Sequence, residues 1–190
     1  MKKIIFLFSF ISLVSFCHAQ NTSNIITSVK QEKGKVVFRD TVSSELSREE
    51  IQLHLMNWLN TKILPESGVL NANDTVQGII SCQMMDLLEM AKMEFYVFSM
   101  YLRYQLIFQC FDNQYILTVR NINFIDPADL MTDKNIPVQK KQISGEFVML
   151  EKKYKVLTVK NASGKLTDAA IQRFNEVFGM ARKALKVGKM

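Results

Sequence analysis

Apolar and polar residues alternate most cleanly between Leu102 and Ile125. Leu102, Tyr104, Leu106, Phe108 and Cys110 alternate with Arg103, Gln105, Ile107 and Gln109, the period of two expected of a strand buried on one face. Asp112-Asn113 follows and suits a two-residue primed turn, because both residue types tolerate positive φ. Tyr115, Leu117 and Val119 resume the alternation. With the turn at 112–113, Cys110 faces Tyr115, Phe108 faces Leu117 and Leu106 faces Val119, so both apolar rows share one face. Beyond Val119 the apolar marks slip by one position to Ile122 and Phe124. A bulge near Asn121 accounts for the slip, as would partial cover on both faces at that end. On this register Tyr101 stands opposite Phe124 and Arg103 opposite Ile122. The expected result is a small apolar-aromatic patch on the outer sheet face, Tyr101 with Phe124, flanked by Arg103 and Arg120. The alternative is that segment 126–165 covers it.

Other elements are marked less evenly. Residues 35–42 read as a first strand through Val36, Phe38 and Val42, after the turn residue Gly34. Ser47 and Glu50 have capping-box spacing, with Leu46 and Ile51 placed as a hydrophobic staple. Ile51, Leu55, Trp58 and Leu59 form one helical stripe, and Pro65 predicts an end near Lys62. Segment 64–74, with Pro65, Gly68 and a run of Asn and Asp, reads as a loop. Residues 75–85 read as the second strand, with Val76, Ile80, Cys82 and Met84 on one face and Gly78 as a weak point or bulge. Segment 86–100 fits neither period; the far end of a long hairpin turning near Ala91-Lys92 is favoured over a short helix. Phe147, Leu150, Tyr154 and Leu157 have helical spacing inside an otherwise irregular 126–165 insertion. Asn161–Gly164 reads as a turn and Thr167 as the cap of a last helix striped by Ile171, Phe174, Phe178, Ala181 and Leu185. The predicted class is α+β: an antiparallel sheet of about four to five strands with an N-terminal and a C-terminal helix, in the order β-α-β-β-β-α.

The first residues change the setting. Lys2 and Lys3, the apolar run 4–16 and the small residues Cys17 and Ala19 describe a secretory signal cut after Ala19. The run is shorter than the ~20 residues that span a bilayer. The expected organisation is then a signal at 1–19, a flexible lead-in at 20–34 and a single domain at 35–187. An exported protein, periplasmic or secreted, follows. Loss of Lys2 and Lys3 lowers the formal charge from +6 to +4. The basic remainder collects from Lys152 to Lys189, a region suited to contact with an anionic surface, although a solvated helix face explains it as well. Export makes nucleic acid a poor partner. Cys82 and Cys110 are expected as buried free thiols, since antiparallel strands would hold them well beyond the ~7 Å a disulfide allows.

The strand "KVVFRDTV", the helix "LSREEIQLHLMNWL" and the hairpin "YQLIFQCFDNQYILTVRNINF", together with the export signal, resemble a family of exported domains of Gram-negative bacteria. The likeness covers Lys35 to Ile125. It implies a fold like the TATA-box-binding protein, with no assigned activity and no site residues to carry over. Such a fold does not imply DNA binding, because function resides in sites.

Catalytic signatures are few. His54 would be the single histidine after processing, and it lies beside core Leu55 with no serine elbow or Gly-rich turn. One histidine and two separated thiols are too few for zinc, and no Gly-rich phosphate loop occurs. Asp86, Glu89 and Glu94 cluster, and paired carboxylates are what glycoside cleavage needs, but a sheet this small offers little cleft. No catalytic residue, metal ligand or cofactor is expected. The reading is a non-catalytic exported envelope protein, a binding or assembly module whose partner is an envelope protein or a second copy. The alternative is a small-ligand carrier or hydrolase with a pocket between the first helix and the sheet.

Overall fold

Three long strands carry the alternation, and their register decides the architecture. The structure, a computed structural model, describes residues 25–93, 96–131 and 142–185. The signal expected at 1–19, residues 20–24, Glu94, the middle of the insertion, Lys186 and Lys189 lie outside them. The elements are β1 (Gln31–Glu32), β2 (Lys35–Val36), β3 (Phe38–Ser43), α1 (Arg48–Trp58), α2 (Leu64–Ser67), β4 (Gly68–Asp74), β5 (Ile79–Met93), β6 (Tyr96–Phe111), β7 (Gln114–Ile125), α3 (Pro127–Met131), β8 (Ile143–Ser144) and α4 (Ala162–Ala184). The main sheet is antiparallel, in the order β3-β7-β6-β5-β4, with β8 added to β7. The expected β-α-β-β-β-α order is present as β3-α1-β5-β6-β7-α4.

The β6–β7 hairpin has the predicted pairing: Cys110 opposite Tyr115, Phe108 opposite Leu117 and Leu106 opposite Val119. Its turn differs, because only Asn113 takes positive φ, at 63°, and a primed type I′ turn needs two such residues. The cause lies in what the turn touches. Asp112 Oδ1 accepts the Arg48 N–H at 3.0 Å and the Asn113 N–H donates to the Leu46 carbonyl, so the turn is docked on the entry to α1. Asn121 has φ 54° at the expected bulge, where the β6–β7 register shifts between Arg103 and Gln105.

The long hairpin favoured for 86–100 exists, with β5 reaching Met93 and β6 starting at Tyr96. Ala91 and Lys92 are therefore paired, with Phe98 and Val97, and do not form its turn. A register shift between Glu89 and Ala91 explains why neither period fits there. In segment 64–74, where a loop was expected, Leu64–Ser67 is helical and Gly68–Asp74 is a strand. β4 pairs with β5 along one edge, and its side chains are almost all exposed, so it shows no apolar alternation. Val76 is exposed in the turn before β5. Gly78 takes φ +67° there, and a Cβ would stand 2.5 Å from the Cys110 carbonyl oxygen; the position requires glycine.

α1 starts with the full capping box. It does not end at Lys62: a π-helical turn over Leu59–Ile63 leads straight into α2. Pro65 is tolerated because it sits in the first turn of α2, where its missing N–H has no helical partner to lose. α4 begins at Asn161, whose side chain accepts the Gly164 N–H. Thr167 is inside the helix, its hydroxyl bonded to the Ser163 carbonyl at 2.8 Å. In the insertion, helical turns form at Pro127–Met131 and, as a π turn, at Glu146–Leu150. Val148 and Met149 are buried there, while Phe147 and Leu157 are exposed. The lead-in forms a β1–β2 hairpin through a Lys33-Gly34 turn with both φ positive.

α1 and α4 contact each other and pack on one face of the sheet. One apolar cluster joins Ile51, Leu55 and Leu59 of α1, Phe174, Val177 and Phe178 of α4, and the inward rows of β5, β6 and β7. Cys82 and Cys110 are both free and buried in it. The Cys110 N–H bonds the Gly78 carbonyl, four strand residues from Cys82, or about 13 Å. Burial pushes both thiols up to about 11. Ellman's reagent at mildly alkaline pH is therefore expected to leave both unmodified in the native protein and to titrate both after unfolding in guanidinium. Rapid modification of either in the native state would contradict the packing.

Candidate functional site

Among the described residues the second face of the sheet carries no long helix, and strand parity decides what it shows. On β6 the inward row is Leu102, Tyr104, Leu106 and Phe108, all fully buried, so Arg103, Gln105, Ile107 and Gln109 point outward. β5 presents Ser81, Gln83, Met85, Leu87 and Glu89 on that side, and β7 presents Ile116, Thr118 and Arg120.

Amides knit the centre of this face. Gln105 Nε2 donates to Ser81 Oγ at 2.9 Å. Gln105 Oε1 accepts from Arg120 Nε at 3.1 Å and from Asn121 Nδ2 at 2.8 Å. Gln83 Nε2 donates to the Tyr104 carbonyl at 2.7 Å. Arg39 spans from Thr118 to a paired contact with Glu32. Toward the β5–β6 turn the face becomes apolar. Met85 lies opposite Arg103 and Leu87 opposite Tyr101, with Met85 43% and Leu87 48% exposed.

The four residues singled out in the sequence are therefore only partly brought together. Tyr101 and Arg103 sit side by side on the outer face, and Arg120 lies on the same face, tied to Gln105. Phe124 is 0% exposed in the core. The bulge at Asn121 restores the inward direction to Ile122 and Phe124, so Arg103 meets Asn123 and Tyr101 meets Ile125. Met85 and Leu87 take the place expected for Phe124. The outward parity of Met85 and Leu87 follows once Ile80, Cys82 and Met84 are set inward, and that signal was present in the sequence.

The helix-bearing side holds two buried carboxylates, Asp86 and Asp40. Arg173 of α4 grips Asp86 of β5 with two hydrogen bonds, Nε to Oδ2 at 2.9 Å and Nη2 to Oδ1 at 3.0 Å. Tyr104 Oη donates to the same Oδ2 at 2.7 Å. Burial and the adjacent carboxylate push the Tyr104 phenol well up. Near the C-terminal end of α4, Arg182 Nε donates to Asp40 Oδ2 at 2.9 Å. Burial raises the Asp40 carboxyl and outweighs the lowering effect of Arg182. Asp86 faces inward while Glu89 faces outward, so this pair cannot flank one scissile bond.

His54 is half-buried on the flank of α1. The space under α1 is occupied by Ile51, Leu55 and Leu59, all fully buried, and Trp58 meets Phe108 edge-on with ring centroids 6.3 Å apart. A cleft of about 270 Å³ lies elsewhere, between residues 25–30 and β3, lined in part by Thr27, Lys30, Phe38 and Arg39. Among the described residues, no group of three His, Cys, Asp or Glu side chains is placed to hold a metal ion.

Residues 38–125 match the model of a family described as a domain of unknown function (DUF4468) with TBP-like fold. No curated protein matches the chain. A crystal structure of a DUF4468 family protein from Bacteroides ovatus ATCC 8483 is similar with a TM-score of 0.69 at 14% identity, over 86% of this chain and 94% of that one. A TBP-like protein from Parabacteroides distasonis ATCC 8503 is similar with a TM-score of 0.64 at 18% identity, over 83% of this chain and 97% of that one. At these identities the likeness establishes the fold, which is TBP-like.

Proposed function

We propose that this chain, whose residues 38–125 match the DUF4468 model and which has the TBP-like fold, is an exported, non-catalytic binding module of the Gram-negative envelope that grips a protein through the sheet face opposite α1 and α4. The carrying observation is the Met85–Leu87–Tyr101–Arg103 patch, two exposed aliphatic side chains paired directly with an aromatic ring and a guanidinium. Tyr and Arg beside apolar side chains are the usual anchors of protein contacts, and the amide mat next to the patch supplies a polar rim. The partner is an envelope protein or a second copy of the chain. The signal pattern at Met1–Ala19 supports export.

An affinity experiment tests this reading. The immobilised protein is offered envelope extract at low and at moderate salt, and its own mass in solution is followed by sedimentation. The expected result is one protein retained at both salts, or a dimer, with either lost in folded Leu87→Glu and Arg103→Glu variants. Retention unchanged by both substitutions, or no retention and no dimer, would overturn it.

A further inference from the structure

Between the π turn at Glu146–Leu150 and α4 the chain makes a protruding loop with an unusual tip. Val156 and Val159 form an isolated bridge, and the Val159 N–H donates to the Val156 carbonyl at 3.1 Å. Leu157 and Thr158 are thus the two central residues of a tight turn. Leu157 has a relative exposure of 108%, so its side chain touches essentially nothing of its own protein. Scattered exposed leucines are ordinary; one raised on a turn is set apart by what surrounds it. Five lysines, Lys152, Lys153, Lys155, Lys160 and Lys165, stand between Glu151 and Lys165 against the single carboxylate of Glu151, which pairs with Lys153 at 2.7 Å.

The base of the loop is fastened. Ser163 Oγ donates to the Tyr154 carbonyl at 2.9 Å, Tyr154 Oη reaches Met100 Sδ at 3.8 Å, and Val159 is buried. The Lys153 N–H donates to the carbonyl of Phe147, another exposed apolar residue. The tip is held out by a built support.

We infer that the Leu157 turn is a membrane-docking loop that inserts its leucine among the acyl chains of an anionic lipid surface while the flanking lysines meet the headgroups. The leucine decides between anionic occupants. A hydrated polyanion would be met by the lysines alone, whereas burial of a fully exposed apolar side chain adds to affinity only where there is hydrocarbon to enter. Lysines near such a surface each contribute about fivefold in partitioning. This inference is independent of the sheet-face reading.

Co-sedimentation with phosphatidylglycerol-containing vesicles, against pure phosphatidylcholine vesicles, tests it on the purified protein, any N-terminal contribution being common to all variants. The protein is expected to bind the anionic vesicles only. Leu157→Asp should weaken binding about tenfold, and Lys155→Gln or Lys160→Gln about fivefold each. Leu157→Trp should bind with a blue-shifted emission. Arg103→Glu should bind as the parent does, which separates this outcome from that of the sheet-face experiment. Equal binding by Leu157→Asp and the parent would mean contact with negative charge alone and would overturn insertion, as would no vesicle binding at all.

Discussion

Replacing Arg173 with alanine is expected to lower stability by about 3 kcal/mol. The substitution strands Asp86, whose side chain is only 8% exposed, and leaves it one hydrogen bond, from Tyr104. The loss comes from the charge left behind more than from the attraction removed. The double variant Asp86→Asn with Arg173→Ala is therefore expected to be more stable than Arg173→Ala alone, because a neutral amide still accepts from Tyr104. Urea midpoints of the parent and the variants check both statements. A loss for Arg173→Ala below about 1 kcal/mol would show the pair behaving like an exposed one.

Phe174→Ala is expected to cost about 4 kcal/mol, the range for a large buried aromatic. Phe174 is fully buried and packs on two rings. Its centroid is 5.0 Å from that of Phe38 on β3 and 5.2 Å from that of Tyr104 on β6, the latter edge-on. Removing it opens a void under α4 and forfeits both ring contacts. Phe174→Leu should recover roughly half. Because Phe174 and Arg173 both touch Tyr104 or its partner, the loss in the Phe174→Ala, Arg173→Ala double variant should not be the simple sum. A loss below about 2 kcal/mol in Phe174→Ala would mean that α4 is not packed as described.

The sequence made the inward rows of β6 and β7 legible because both are buried on one side only, where a one-residue slip would turn every apolar side chain to solvent. The α1 cap was legible because its signal is local. β4 was not, since an edge strand with exposed side chains has no alternation to read, and its Gly, Asn and Asp content is that of a loop. Pro65 misled because its effect depends on helix position, and the π turn before it leaves no sequence mark. At the candidate site the difficulty was one of parity. A bulge at Asn121 was expected, yet its effect is to return Phe124 to the core, which removes it from the outer patch. The Asp86–Arg173 pair joins residues 87 positions apart, and no local pattern announces such a contact.

The two arginines of α4 also set how the open face responds to load. Arg173 and Arg182 are nine residues apart, about 13.5 Å along a helix. They hold Asp86 on β5 and Asp40 on β3, strands separated by three sheet spacings, about 14 Å. The C-terminal half of the helix is a crossbar riveted to the sheet at Arg173 and at Arg182. Flattening or twisting the sheet shears a buried ion pair, so the face opposite the bar acts as a stiff plate. A partner arriving there meets a surface whose shape is already set, and little of the binding free energy is lost in ordering it.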